Sequence, residues 1–451
     1  MVGFTILAKP LLKGLTMTAF TPLRELPTAT NFREGDVFIL FGELFGRGYA
    51  NGLIDLAKKH KMTIVGITVG RRDADKKLRP LTDEELTAAQ ENLGGEIINI
   101  PLEAGFDMDA PDGEQSPVEM LAAVKRDDWT DFKFDWDKVE ACRQTGINRF
   151  KTNLADVAKA LEEKIPSGAN VFIAHTMAGG IPRTRIYLSV INRIFKGKGD
   201  RFTSSKVFSD SDLGKICSLS FMEVTANTFS YLMDATQGIR DKVKSWDGEI
   251  RYCAYGYHGT EVVLGDKQFW QTYTPYFQGD AKMKLEDHAT EAWSNGTKAV
   301  VFNCPEIRTN SSDVFQGLEI PLFTFLDLLK QQESNSEIDT ILKDCASKVN
   351  TDLDSLLDLI KNHYEKAEAL NLTDFENWPL DNTLDIAELG LGTSAELTSL
   401  HISNKDLISD YLSKIIMEAT GTIMFYGVTA PEKPVVWLGH DLILKAHLHG
   451  G

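Results

Sequence analysis

Cysteine is scarce in this 451-residue chain: five stand at 142, 217, 253, 304 and 345, an odd total without a Cys-x2-Cys pair. A disulfide framework and a zinc site lack their usual signatures, so the expectation is a cytoplasmic protein in a reducing environment, with no metal. Long apolar runs are missing too. Hydrophobic residues make up 43% of the chain but are spread out, and no stretch approaches an uninterrupted membrane span. The opening MVGFTILAKPLLKGLTM is broken by Lys9 and Lys13, a poor fit to a signal peptide. Basic charge is in deficit, with 48 Lys and Arg against 65 Asp and Glu and a net charge of −17, which argues against general binding to nucleic acid or anionic lipid. There is no Gly-x-Ser-x-Gly elbow and no Gly-x4-Gly-Lys loop, and the nine histidines show no metal-ligand spacing. Serine hydrolysis, phosphoryl transfer and metal chemistry therefore lose their main marks.

What the chain does have is a strongly patterned stretch over residues 36–72. The apolar run Val37 to Phe41 meets Gly42-x3-Gly46-x-Gly48, and Ala50, Leu53, Ile54 and Ala57 follow on one helical face. A second apolar run, Thr63 to Val69, completes a βαβ unit. A dinucleotide's pyrophosphate needs backbone N–H donors at a helix start and no Cβ in the way. Gly42, Gly46 and Gly48, with Arg47 between the last two, are accordingly candidate cofactor contacts. The end of the second strand usually meets the adenosine ribose, where an acid suits NAD and a base suits the 2′-phosphate of NADP. Arg71 and Arg72 stand there, so the expected cofactor is NADPH, with NADH as the alternative; the plain structural reading is two solvated loop arginines.

Further on, Thr82-Asp83-Glu84-Glu85 is a capping-box pattern opening a helix that stops at Gly94-Gly95, and residues 96–102 read as a third strand. Residues 104–135, acidic and aromatic, resemble an insertion. A long helix is expected over 136–164 and a fourth strand over 170–175. Helices at about 181–196, 220–245 and 276–295 then alternate with strands at 248–257 and 299–304. Such alternation predicts an α/β fold with a doubly wound parallel sheet. Residues 1–35 read as an arm over the core. The end of the chain reads as a largely helical extension: helical over 326–375, loop-like over 376–396 and helical over 397–420. The apolar runs TIMFYGV and PVVWLGHDLIL could then close the sheet. No linker signal appears, so one large domain is expected over 1–451, with its core at about 36–312. The basic run from Arg183 to Arg201 could hold a phosphorylated carrier or form a solvated helix face.

Residues 248–312 carry the chemistry, and here the chain resembles the short-chain dehydrogenase/reductase superfamily. Within it, the likeness is to the large, divergent enoyl-acyl-carrier-protein and trans-2-enoyl-CoA reductases. The resemblance rests on the Gly42, Gly46, Gly48 turn, on His175-Thr-Met-Ala178-Gly179-Gly180 after the fourth strand, and on Asn227 in the following helix. It continues through Tyr257-His258-Gly259, Gly279-Asp280-Ala281-Lys282 and Pro305-Glu306-Ile307-Arg308-Thr309. The resemblance implies a Rossmann-like fold and reduction of an enoyl thioester carried on acyl-carrier protein or CoA, in a possible homo-oligomer. It also implies that His175, Ala178, Gly179, Lys282, Ile307 and Thr309 meet the cofactor.

The chemistry has its own reason for a tyrosine and lysine pair. Hydride delivered to the β-carbon leaves negative charge on the thioester oxygen, which a placed phenol O–H stabilises, while a lysine holds the ribose and favours proton donation. Lys282 is the lysine. Tyr276 lies six positions before it, about 120° away on a regular helix. Tyr273 precedes Pro275 and stands on the entry loop, so Tyr273 ranks first and Tyr276 second, with Tyr257 as a second phenol. An inserted hairpin is expected to turn at Gly265-Asp266. Val314, Phe315, Leu318, Leu322, Phe323, Phe325 and Leu326 could wall an acyl pocket or form an ordinary buried helix. A 3-oxoacyl-thioester ketoreductase and a non-catalytic NADP(H)-binding sensor or scaffold are the rival functions.

Overall fold

The computed structural model describes residues 20–257, 259, 262–268, 277–310, 312, 317–370 and 382–449. The first βαβ unit forms where the pattern puts it. β1 (Val37–Phe41) is buried at every position, α1 (Ala50–Lys59) turns Leu53, Ile54 and Ala57 inward, and β2 (Thr63–Thr68) runs parallel to β1. A two-rung hairpin, β3 (Arg71–Arg72) and β4 (Leu78–Arg79), leads to α2 (Asp83–Leu93). The capping box is present: Glu85 N–H donates to Thr82 Oγ1 and Thr82 N–H to the Glu85 carboxylate, and the helix stops at left-handed Gly94.

The alternation then runs through β5 (Glu96–Pro101), short α3 (Pro117–Leu121) in the acidic insertion, α4 (Trp136–Lys164) and β6 (Val171–His175). Next come α5 (Arg185–Phe195), α6 (Ser205–Asp210), α7 (Asp212–Phe221), a π-helical turn over Met222–Asn227, α8 (Thr228–Ala235) and α9 (Gln237–Lys244). β7 (Ile250–Gly256) is followed by the hairpin β8 (Val263–Leu264) and β9 (Lys267–Gln268), which turns at Gly265-Asp266 as expected, then by α10 (Gly279–Ser294) and β10 (Ala299–Asn303). The rest is α11 (Ile320–Lys330), α12 (Ser336–Ala346), α13 (Leu353–Ala369), α14 (Leu384–Leu400), α15 (Ile408–Gly427), β11 (Val435–Trp437) and α16 (His440–His449).

The described residues form a seven-stranded parallel sheet in the order β11-β10-β7-β6-β1-β2-β5. The chain winds outward from β1 to β5 and then returns to β6 on the other side. That reversal opens a crevice beyond the carboxyl ends of β1 and β6, the place where such sheets bind ligands. One face is covered by α1, α11, α15 and α16, whose Leu53, Phe325, Phe425 and Ile443 share a buried cluster with Phe38 and Phe172. The other is covered by α4, α8 and α10 through Leu154, Phe229 and Leu285. The acidic insertion packs Trp129 and Phe134 against α5, α6 and α7 in a third cluster.

The helical extension is enclosed between β10 and β11: PVVWLGHDLIL closes the sheet as expected, its Val435–Trp437 pairing with β10. Other expectations change. TIMFYGV is the last turns of α15, not a strand. The stretch read as loop-like carries α14 from Leu384 onward, and the single helix expected over 220–245 is broken by the π turn. Apolar runs of that length do not distinguish a buried helix from a strand.

α15 sits on α1 through two glycines. A Cβ on Gly52 would lie 2.5 Å from the Met417 carbonyl oxygen, and one on Gly421 would lie 2.5 Å from the Gly52 carbonyl carbon. At the amino ends of the strands, buried Asp36 accepts from Arg33 N–H at 2.9 Å, Asn170 N–H at 2.8 Å and Asn170 Nδ2 at 3.1 Å. Asn170 Oδ1 in turn accepts from Glu249 N–H at 2.8 Å, linking the entries of β1, β6 and β7. Part of the amino-terminal arm lies along β11, where Leu23 N–H donates to the Trp437 carbonyl at 2.8 Å. Among the described residues no helix is long and apolar enough to cross a membrane.

Candidate active site

The crevice begins at the turn after β1. Gly42 has φ +143, and a Cβ there would meet Thr176 Oγ1 at 2.2 Å, so only glycine lets the chain after β6 come this close. Beside Gly46 and Gly48 a Cβ would find open space within 4 Å, an uncrowded stretch of backbone leading into α1. Arg47 is half-exposed between them, and its Nη1 lies 2.8 Å from Asp410 Oδ1 on α15. Tyr49, a residue the sequence reading missed, reaches across the crevice floor. Its hydroxyl donates to the Pro305 carbonyl and its ring stacks on Tyr255 with centroids 5.5 Å apart. Burial pushes both phenols well above their ordinary pKa.

The arginine pair is already engaged. Arg71 Nη1 donates to Glu43 Oε1 at 2.9 Å, and the same oxygen accepts from Thr68 Oγ1 at 2.6 Å and Val69 N–H at 3.2 Å. A carboxylate from the glycine-rich turn thus sits at the tip of β2. Arg72 donates from Nε to Glu103 at 2.6 Å and from Nη1 to the Lys76 carbonyl at 2.8 Å. It is a brace between the hairpin and the end of β5. Arg183 is similarly held by Asp107 and Glu103, whereas Arg185, Lys198 and Arg201 of the basic run are exposed.

Lys282 enters from the first turn of α10 and is 6% exposed. Its Nζ donates to the Tyr255 carbonyl at 2.6 Å, and burial pulls its pKa down to about 8. Two residues earlier, Asp280 is pushed up to about 6 by burial. His175, at the end of β6, is 1% exposed, and its ring packs between Phe41 and Phe229. Its Nε2 lies 2.8 Å from Thr228 Oγ1, which itself donates to the Val224 carbonyl, so the imidazole carries its proton on Nε2. Burial, then the nearby Lys282 charge, lowers its pKa to about 3. Its side chain belongs to the core, while Ala178 is exposed and Gly179 half-buried on the loop beyond. Asn227 closes the π turn against α10, with Oδ1 3.1 Å from His288 Nε2. Tyr257 stands half-buried just past β7. Tyr273 and Tyr276 lie outside the described residues.

Across the crevice, Ile307 is buried and Thr309 N–H donates to Ser312 Oγ at 2.8 Å. Between them Arg308 donates its N–H to Ser413 Oγ at 2.9 Å and sets Nε 3.5 Å from Asp410. Beside Arg308 is a cavity of about 210 Å³ lined by Leu318, Phe323, Ser394 and His401. Leu322, Phe325 and Leu326 are instead buried in α11, as an ordinary core helix would have them; Val314 and Phe315 lie outside the described residues.

The family model for enoyl-acyl carrier protein reductase FabMG matches residues 19–447. Among solved structures, an apo FabMG, a novel type of enoyl-acyl carrier protein reductase, is similar at 50% identity. The match covers 96% of this chain and 97% of that one, with a TM-score of 0.91. An NADH-bound FabMG is similar at 43% identity over 96% of this chain and all of its own, with a TM-score of 0.78. No curated protein sequence matches the chain.

Proposed function

Because the chain belongs to the enoyl-acyl carrier protein reductase FabMG family, we propose that its crevice takes NADH beside a 2-enoyl thioester, with Lys282 holding the nicotinamide ribose. Membership makes the protein an oxidoreductase of carbon–carbon double bonds, working with a nicotinamide cofactor in fatty-acid synthesis. The observation that carries the residue assignment is the buried Lys282 ammonium, anchored 2.6 Å from the Tyr255 carbonyl at the carboxyl ends of β7 and β10.

The residues present fit a dinucleotide. The backbone beside Gly46 and Gly48 is free of obstruction, and Arg47 and Arg308 flank the path from the glycine-rich turn to Ile307 and Thr309. When bound, the nicotinamide supplies the hydride. Lys282 orients the ribose and, as a cation, favours proton donation by a nearby phenol. That phenol is Tyr273 ahead of Tyr276 on sequence spacing, with Tyr257 second at the thioester oxygen, where it stabilises the developing enolate charge. Neutral, buried His175 holds the end of β6 against α8 and takes no part in proton transfer.

NADH is favoured over NADPH by Glu43. Its carboxylate occupies the tip of β2 and neutralises Arg71, so a ribose 2′-OH finds an acceptor there while a 2′-phosphate meets like charge. The NADH-bound relative supports the same choice. Five free, buried cysteines support a cytoplasmic setting, and the shared core of the sheet and α15 supports one domain.

The test is oxidation of NADH and NADPH, in parallel, by purified protein with crotonyl and longer 2-enoyl thioesters against acetoacetyl thioester. Enoyl-dependent oxidation of NADH that is lost in Lys282→Ala is the expected result. Activity unchanged in Lys282→Ala would remove this lysine from the site. Turnover of the 3-oxo substrate alone would point to ketoreduction.

A further inference from the structure

Asp410, at the start of α15, belongs to the inserted helical segment and not to the βαβ scaffold, yet it stands in the crevice. A single oxygen, Oδ1, lies 2.8 Å from Arg47 Nη1 and 3.5 Å from Arg308 Nε. Arg47 comes from the glycine-rich turn after β1, and Arg308 from the turn after β10. The two guanidiniums thus converge on one carboxylate from the two sides between which a bound dinucleotide's pyrophosphate must pass. The pair is open on the Arg47 side, where the Arg47 side chain is 48% exposed and Asp410 32%, while Arg308 is the more enclosed partner at 18%. The neighbouring contacts tie Arg308 to the start of α15, its Nη1 donating to Ser409 Oγ at 3.4 Å. Ser413 Oγ takes the Arg308 N–H and itself donates to the Ser409 carbonyl at 2.6 Å, which pins the turn onto α15.

We propose that Asp410 is a stand-in anion: it holds Arg47 and Arg308 in position while the crevice is empty and yields them to the cofactor's pyrophosphate. This deepens the reading of the crevice as a dinucleotide site and rests on it. A pyrophosphate offers two negative charges to the same donors and outcompetes one carboxylate. Once displaced, Asp410 remains a few ångströms away and repels the diphosphate, which hastens its departure. Asp410 is therefore a positioning residue whose removal strengthens binding, whereas removal of either arginine weakens it.

The experiment measures Kd and dissociation rate of NADH, ADP and adenosine on the full chain by calorimetry and stopped-flow fluorescence, for wild type, Asp410→Asn, Arg47→Gln and Arg308→Gln. For Asp410→Asn, NADH and ADP should bind roughly tenfold tighter, mainly through slower dissociation, and adenosine should be unchanged. Arg47→Gln and Arg308→Gln should each weaken NADH and ADP roughly tenfold and leave adenosine alone. Asp410→Glu keeps the charge and should stay near wild type, a check that needs no loss of fold. Weaker or unaltered diphosphate binding in Asp410→Asn would make Asp410 a fixed structural partner and overturn the proposal. Failure of wild type to bind NADH or ADP at all would strike the dinucleotide reading itself, an outcome distinct from a wrong role for Asp410.

Discussion

The two ends of the sheet use polar groups differently. At the amino ends, buried Asp36 and half-buried Asn170 satisfy one another and three backbone N–H groups across β1, β6 and β7. At the carboxyl ends, on the proposed reading, the polar groups hold partners that a cofactor replaces: Lys282 rests on a main-chain carbonyl, Arg47 and Arg308 meet one carboxylate, and Glu43 holds Arg71 at the surface. A closed network contributes rigidity. Groups with replaceable partners are preorganised for a ligand and carry part of its desolvation in advance. On that reading the same sheet gives one end to stability and the other to the cofactor.

Removing Lys282 should produce the largest difference between the ends. Lys282→Ala is expected to lower kcat/KM for the enoyl thioester on the order of 10³-fold. Its unfolding midpoint should hold or rise, since a buried cation is lost; urea titration beside steady-state kinetics checks both. Asp36→Ala should do the opposite, costing about 2–3 kcal/mol because two Asn170 donors and Arg33 N–H lose a charged acceptor. Its kcat per folded molecule should stay at the wild-type value, and a large fall at constant stability would erase the contrast.

A smaller effect concerns selectivity. Glu43→Gln frees Arg71 from its countercharge and should raise the NADPH-to-NADH ratio of kcat/KM about tenfold. An unchanged ratio would mean that this carboxylate does not face the ribose.

The finest test uses pH. The folded pKa of Lys282, about 8, lies below the unfolded value of about 10.4. Below about 8 both states are protonated and the folded protein bears the whole penalty of the buried charge. Between about 8 and 10.4 the unfolded chain binds more protons, so this group makes stability rise with pH there. Over the same window kcat/KM should fall if Lys282 acts on the ribose as a cation, as proposed. Lys282→Met should abolish the stability slope in a pH series of unfolding curves.

Much of the scaffold was legible because its signals are local. Apolar runs bounded by glycine mark β1, β6 and β10, and the capping box marks α2, since each depends on neighbours a few residues apart. TIMFYGV was misread because a buried helix that is apolar on all sides has no period to distinguish it from a strand. Arg71 and Arg72 pointed to a phosphate in sequence because nothing local shows that Glu43 and Glu103, 28 and 31 residues away, hold them.

The βαβ order, the glycine turn and the lysine on α10 follow from local pattern, because periodicity and backbone sterics act over one or two turns of chain. Long-range packing alone set α15 on α1 through Gly52 and Gly421 and placed Asp410 between Arg47 and Arg308. Those contacts join residues hundreds of positions apart, and only the burial of a shared core brings their charges within reach of one another.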